Sequence, residues 1–239
     1  MSNVKNMIRW EFLLLYRYKI IHISILSVVL YFLTTQAISS LQGQMQVHST
    51  LLFFDPAVIG FVFVGALVLF EKSENVLQAL VITPMRIDEY LQSKLLSLTL
   101  LSLVSASLFL GLMAVFSGTE VNVVYFIVGI ILTSIMLILL GFIIVSRVDS
   151  VNGYLLGIMI GFLALSFPPL LHIFGLFESL GFYLWPTMAS LIILENVFTS
   201  GGYETWELAY GVIYQIIWIG ILYVVAKKAF REFIIVRGG

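Results

Sequence analysis

The sequence predicts an all-α integral membrane protein with six transmembrane helices. Of its 239 residues, 61% are hydrophobic and only 10% are charged, and the mean hydropathy is +1.09. A soluble domain carries about 25% charged residues, whereas a helix that crosses a bilayer needs about 20 mostly apolar residues. The chain contains no cysteine, which excludes disulfides and thiolate metal sites.

The first predicted element is an amino-terminal interfacial helix over residues 1–19, at the cytoplasmic leaflet. The segment from Val4 to Lys19 mixes aromatic and aliphatic residues with four cations, which is typical of helices that lie in the interface. The alternative is a simple extension of span one, whose cationic side chains reach back to the membrane surface.

Six apolar segments give spans near residues 20–41, 53–71, 94–117, 121–146, 152–174 and 206–226. With a cytoplasmic amino terminus, all twelve Lys and Arg residues lie on the cytoplasmic side, as the positive-inside rule requires. The outer loops then carry only acidic charges, and Asp55 is one of them. We therefore expect a multi-pass protein of the cell membrane with both termini in the cytoplasm.

Residues 182–200 are apolar enough to suggest a seventh span. A seventh span would place the four basic residues near the carboxyl terminus outside, and it would bury Glu195 in the bilayer, which is unfavourable. We expect instead an outer re-entrant or interfacial helix within residues 175–205, with Glu195 partly buried. Pro168 and Pro169 precede this segment and are expected to break span five.

Two patterns within the spans indicate either a transport pathway or contacts between helices. Hydroxyl residues recur along one face of span one, and together with the outer acid at the start of span two they give the candidate pathway residues Ser27, Tyr31, Thr34 and Asp55. Packing is the alternative, because hydrogen bonds between spans contribute only ~0.6 kcal/mol on average. Small residues four apart allow close approach of helices, and span five has such a ridge at Gly153, Gly157 and Gly161. The ridge fits a contact within the chain or a subunit interface.

The sequence contains no recognisable catalytic motif. The three histidines are far apart, and the chain has no Walker A pattern, no nucleophile elbow and no zinc-protease pattern. We therefore expect that this chain is not an enzyme by itself, holds no cofactor or metal and binds no nucleic acid.

The connection between spans two and three, residues 71–94, is long and carries both signs of charge. Ser73 can cap a short helix, whose apolar stripe is formed by Val76, Leu77, Leu80 and Val81. Pro84 suits the first position of the next helix, with Thr83 as its cap. This geometry predicts either a docking element for a cytoplasmic partner or a solvated hairpin that caps itself.

Residues 53–94 resemble the membrane subunits of ABC-2 type transporters, in particular the small permeases described as fluoroquinolone exporters. In that family, the pattern E-x-x-x-x-(V/T)-L-x-x-L-x-x-(T/S)-P follows span two. The corresponding residues here are Glu71, Val76, Leu77, Leu80, Thr83 and Pro84. The arrangement of helices agrees over nearly the whole chain, 1–239, as a single domain, although the outer segment matches only in layout.

The resemblance implies that residues 71–83 form a coupling helix, with those six residues at the contact with a separate ABC ATPase subunit. Two copies of that subunit would bind ATP and Mg²⁺, and a second permease subunit, identical or homologous, would complete the transporter in the lipid bilayer. The implied function is outward movement of an amphipathic or lipophilic small molecule, such as a drug, a lipid or a peptide. The alternative is a channel or regulatory scaffold that needs no ATPase.

Overall fold

The computed structural model describes residues 2–38, 44–74, 87–148, 150–177, 179–198 and 203–237, and all regular structure within these ranges is helical. The elements are α1 (Ser2–Arg17), α2 (Ile20–Ala37), α3 (Gln44–Ala57), a π-helical turn (Val58–Phe63), α4 (Val64–Ser73), α5 (Ile87–Ser117), α6 (Val123–Val145), α7 (Val151–Ile173), a 3₁₀ turn (Leu180–Leu184), α8 (Pro186–Glu195) and α9 (Thr205–Arg237).

Six helical segments among the described residues are long and apolar enough to cross a membrane, and we number them spans one to six. They are Ile20–Ala37, Gln46–Ser73, Ile87–Ser117, Val123–Val145, Val151–Ile173 and Thr205–Phe233. The predicted fold class is confirmed. α1 is a helix separate from span one, because Lys19 between them has a left-handed backbone conformation, with φ of 59°.

Span two is the central helix of the bundle. Leu52, Val64 and Leu67 within it have no exposed surface, as expected for a helix that is apolar on all sides. Two glycines let span four approach it closely: a Cβ atom added at Gly141 would lie 3.0 Å from the carbonyl oxygen of Gly60. Spans one, three, four and five pack around span two, whereas span six packs mainly on span four and α8.

The middle of span two departs from regular α-helix in the π-helical turn Val58–Phe63. Pro56 lies inside the helix just before it and removes one backbone donor. The buried hydroxyl of Tyr154, in span five, donates a hydrogen bond to the carbonyl oxygen of Phe61 within this turn. π-helical turns inside α-helices are often found at functional sites, so the residues around this turn are candidates for such a site.

The segment after span five forms a short buried helix, so the prediction that residues 182–200 are not a seventh span is confirmed. α8 has only ten residues, which give about 15 Å of helix, and Met188 and Leu191 have no exposed surface. The Gln215 amide of span six donates hydrogen bonds to the hydroxyl of Ser190 in α8 and, over 3.3 Å, to that of Thr133 in span four. These polar contacts join α8 to two spans.

The prediction that Pro168 and Pro169 break span five is wrong, since the helix continues through both prolines to Ile173. A proline has no backbone N–H, so each of them leaves the carbonyl four residues earlier without its helical donor. An unsatisfied carbonyl is tolerated at membrane depth only where other groups of the protein satisfy it.

Two side chains at the entrance to α8 supply the missing donors. The indole Nε1 of Trp185 donates to the carbonyl oxygen of Ala164 over 2.9 Å, and the hydroxyl of Thr187 donates to that of Leu165. Span five therefore remains helical through the proline pair because Trp185 and Thr187 replace both lost hydrogen bonds.

Replacement of Thr187 with Val tests this arrangement, because it removes the donor and keeps the shape of the side chain. A buried carbonyl left without a partner destabilises a protein by about 1–3 kcal/mol, so we expect the thermal unfolding midpoint of the solubilised protein to fall by about 2–10 °C. Thr187→Ser keeps the hydroxyl and should fall much less. Equal shifts for the two variants would show that the hydroxyl does not support span five.

Candidate functional site

A buried ion cluster lies where the predicted coupling segment joins spans two and three. Lys94 of span three has no exposed surface, and its ammonium contacts Glu11 Oε2 at 2.7 Å and the carboxylate of Glu71. Tyr90, one turn earlier in span three, donates from its hydroxyl to Glu71 Oε2 over 2.5 Å. Glu11 belongs to α1 and Glu71 to the end of span two, so the cluster connects three helices.

The charges of the ion cluster are stable only together. Removing an ion from water costs several kcal/mol, and only close partners of opposite charge with good hydrogen bonds offset this. Burial raises the pKa of Glu11, while the attraction of Lys94 acts in the opposite direction. Two carboxylates share one ammonium, and the Tyr90 hydroxyl gives Glu71 its second donor. Each member therefore depends on the presence of the others.

Aromatic rings extend the ion cluster to two further spans. The ring of Tyr90 stacks on Phe230 of span six, with 5.0 Å between centroids and 5° between planes. Its edge meets Phe142 of span four at 6.4 Å, and Phe142 in turn contacts Phe230 at 5.6 Å. This end of the bundle is thus a single packed unit that includes α1 and spans two, three, four and six.

The structure describes one of the six predicted coupling residues, Glu71, and places it in the ion cluster. The other five lie outside the described residues: Val76, Leu77, Leu80, Thr83 and Pro84. Ser73, predicted to cap the following helix, is the last residue of α4 and donates to the carbonyl oxygen of Phe70 over 2.8 Å. The sequence reasoning missed the role of Glu11. The sequence does single out this residue, because Glu11 is the one acidic residue of segment 1–19.

A cavity of about 490 Å³ lies between spans one, two and five. Its wall includes Tyr31 from span one, Phe54, Val58 and Phe61 from span two, and Phe162 from span five, and its other lining residues are apolar. Part of the π-helical turn therefore forms the wall. Small-molecule sites are typically concave, mostly apolar and of ~300–1,000 Å³, so the cavity has the size and character of such a site.

The structure brings together two of the four predicted pathway residues. Tyr31 lines the cavity, and Asp55 lies beside the wall residue Phe54 in sequence and within electrostatic reach of Tyr31. Ser27 and Thr34 instead donate hydroxyl hydrogen bonds to carbonyls of their own helix, over 2.8 Å each. Neither of these two residues belongs to the cavity wall.

The predicted position of Asp55 in an outer loop is wrong. Span two begins at Gln46, so Asp55 lies inside it and is only 1% exposed. Ser105 of span three donates to Asp55 Oδ1 over 2.7 Å. The polar residues Ser49 and Thr50 make the start of span two resemble a loop in the sequence. Both hydroxyls donate to the carbonyl oxygen of Gln46. Because these hydrogen bonds lie within the helix, both side chains can be buried there.

The glycine ridge of span five faces span four of the same chain at two of its three positions. A Cβ atom at Gly157 would lie 2.9 Å from Ile144 Cγ2, and one at Gly161 would lie 3.4 Å from Ile144 Cδ1. Gly153 lies instead beside the Ser150 hydroxyl, which accepts a hydrogen bond from its backbone N–H over 3.1 Å.

The remaining ionisable residues singled out from the sequence do not gather into one site. Within the described ranges, no three potential metal ligands lie together. Glu195 at the end of α8 is partly buried, as expected, and accepts a hydrogen bond from Tyr203 over 2.6 Å. Burial raises the pKa of Glu195, and the bond from Tyr203 opposes that effect.

Six helices of membrane-spanning length, an apolar cavity between three of them and an ion cluster buried at one end fit a membrane transport protein. The chain belongs to the fluoroquinolones export permease protein family, whose model matches residues 2–238. It is similar to the fluoroquinolones export permease proteins of Mycobacterium tuberculosis strains CDC 1551 / Oshkosh and ATCC 25618 / H37Rv. Each is 33% identical over 185 residues, which cover 77% of this chain and 77% of the relative. The family resemblance inferred from residues 53–94 is confirmed, and the chain is a transporter component rather than an enzyme.

The ion cluster makes a prediction about stability. Lys94→Met leaves two buried carboxylates without a counter-ion, which should destabilise the protein by about 3–5 kcal/mol. Adding Glu11→Gln and Glu71→Gln in the same chain removes the unpaired charges and should recover most of that loss. Thermal unfolding of the solubilised variants measures both effects.

A matched control is the more exposed pair between Lys227 and Asp88, whose ions lie 2.7 Å apart. Because exposed pairs contribute at most about 1 kcal/mol, Lys227→Met should change the midpoint little. A triple variant no more stable than Lys94→Met would contradict the assignment of Glu11 and Glu71 as the ionic partners.

Proposed function

We propose that this chain is the membrane-spanning subunit of an ATP-driven exporter that moves an amphipathic or lipophilic small molecule outward. Two copies of a separate ATPase subunit bind and hydrolyse ATP with Mg²⁺, and a second permease subunit, identical or homologous, completes the translocation path. The relatives from Mycobacterium tuberculosis are named as fluoroquinolones export permeases, which makes fluoroquinolones the first substrate class to test.

The observation that carries the proposal is the apolar cavity of about 490 Å³ between spans one, two and five. Its aromatic wall suits a flat ring system, since aromatic faces and edges stack favourably on one another. Apolar side chains of both flanking spans are exposed, such as Leu30 of span one and Leu163 of span five. This leaves the cavity side of the bundle available for a second permease subunit.

The ion cluster supports the proposed coupling to an ATPase. The two ends of the connection 71–94, Glu71 and Lys94, meet in this cluster. A force on the segment would act on α1 and on spans two and three together, because movement of one charged partner alone would leave another buried and unpaired. Closure of the ATPase dimer would then change the access state through rigid-body movement.

The proposed orientation places the ion cluster and both termini in the cytoplasm. Described basic residues such as Arg17, Arg147 and Lys228 lie near helix ends that share this side of a six-span bundle. The positive-inside rule assigns that side to the cytoplasm, where an ATPase subunit has access to residues 71–94.

Efflux measurements test the function. Cells that express this chain with the ATPase subunit that co-purifies with it should accumulate less norfloxacin, a fluorescent fluoroquinolone, than cells that express the ATPase alone. The proton gradient is collapsed in both, so that ATP is the energy source, and depletion of ATP should remove the difference. Efflux that persists without ATP would favour the alternative, a channel that needs no ATPase.

The coupling assignment predicts the effect of charge on the apolar stripe of segment 71–83. The double variant Leu77→Asp and Leu80→Asp should insert into the membrane normally but lose ATP-dependent efflux by about tenfold or more, because buried charges weaken an apolar contact. Asn75→Asp with Gln78→Asp adds the same two charges away from the stripe and should retain efflux. Unchanged efflux in the leucine variant would remove the basis for the coupling helix.

A further inference from the structure

Asp55 is a buried carboxylate for which the helix packing alone gives no reason. It lies nine residues after the start of span two at Gln46, which places it about 14 Å along the helix and within the apolar part of the bundle. Ser105 donates to its Oδ1 over 2.7 Å, whereas Oδ2 is buried and has no hydrogen-bond donor among the described residues. Serine or asparagine at this position would satisfy Ser105 without placing an acid in an apolar environment.

Among the described residues, no cation forms an ion pair with this acid. Arg17, Lys94 and Lys227 pair instead with other carboxylates. An ionised carboxylate in a medium of low dielectric is strongly unfavourable unless a cation or several donors accompany it. Ionisable residues at membrane depth are rare and usually mark a substrate or ion pathway.

Residues that flank Asp55 in span two line the cavity. Phe54, Ala57 and Val58, on either side of Asp55 in the chain, all line the cavity wall. Tyr31 lines the same wall and lies within electrostatic reach of Asp55. Asp55 is not itself part of that wall, but a molecule whose apolar body fills the cavity would place its polar end near the stretch of span two that carries Asp55.

We infer that Asp55, with Tyr31 and Ser105 around it, is the subsite that binds a protonated amine of the transported molecule. An ammonium group supplies both the positive charge and the N–H donors that Asp55 Oδ2 lacks, and charge-assisted hydrogen bonds of this kind are stronger than neutral ones. The aromatic wall receives the apolar part of the same molecule. The substrate class is therefore an amphipathic organic molecule that carries a protonated amine, and this inference rests on the proposed export function.

Binding measurements on the full chain in lipid nanodiscs, together with its co-purifying ATPase, test the subsite. The probes are norfloxacin, which has a protonated piperazine nitrogen at neutral pH, and N-acetylnorfloxacin, which has the same ring system without that charge. The wild type should bind norfloxacin about tenfold or more tightly than the acetylated probe, the effect of one hydrogen bond between charged groups. N-methylnorfloxacin remains protonated and should bind like norfloxacin, which separates the effect of charge from that of size.

The variant Asp55→Asn should remove the preference by weakening norfloxacin binding, while binding of the acetylated probe stays unchanged. The amide oxygen of asparagine can still accept the hydrogen bond from Ser105, so the packing is retained. Glu195→Gln, which makes the same exchange in the outer segment, is the matched control and should keep the preference.

The outcomes separate this inference from the proposed function. Equal binding of the charged and acetylated probes to the wild type would overturn the amine subsite but not the role of the cavity in export. This comparison needs no variant. A preference that persists in Asp55→Asn would also overturn the subsite. If neither probe binds the wild type, fluoroquinolones are not the substrate class. That result overturns fluoroquinolone export and, with it, the amine subsite that rests on it.

Discussion

The buried contact of Lys94 with the carboxylates of Glu11 and Glu71 is the constraint on which this end of the bundle depends. A lysine without exposed surface can stay charged only while its acidic partners remain beside it. The three residues come from three helices, so α1 cannot leave the bundle without exposing an unpaired charge. Span two cannot slide along span three for the same reason. Tyr90 extends the constraint to span six, because its ring stacks on Phe230.

In the region of span five and α8, neutral polar groups are likewise buried only with hydrogen-bond partners. The side chains of Trp185 and Thr187 donate to the two carbonyls that Pro168 and Pro169 leave free in span five, and Gln215 holds α8 through its amide. In an apolar surrounding, each polar group needs a partner inside the protein. The start of α8 therefore supports span five, which explains why α8 is buried although it is too short to cross the membrane.

The spans could be predicted from sequence, because a helix long and apolar enough for a bilayer is evident from composition alone. The contacts between spans could not, since buried and lipid-facing positions are both apolar and give no distinguishing period. The predicted start of span two, near residue 53, lies too far along the chain, because Ser49 and Thr50 resemble loop residues in the sequence. Only the fold shows that their hydroxyls bond to the backbone of the helix. Glu11 and Lys94, separated by 83 positions, each resemble ordinary interfacial charges until the fold brings them together.

Span two links the two charged features of the molecule. Glu71 and Asp55 are sixteen residues apart on it, which corresponds to about 24 Å of helix, and the π-helical turn Val58–Phe63 lies between them. That turn supplies part of the cavity wall, and Tyr154 fixes its Phe61 carbonyl to span five. A rotation or translation of span two imposed at Glu71 must therefore either carry Asp55 and the wall with it or be absorbed in the turn, which changes the cavity. In both cases the shape of the cavity depends on the position of the ion cluster.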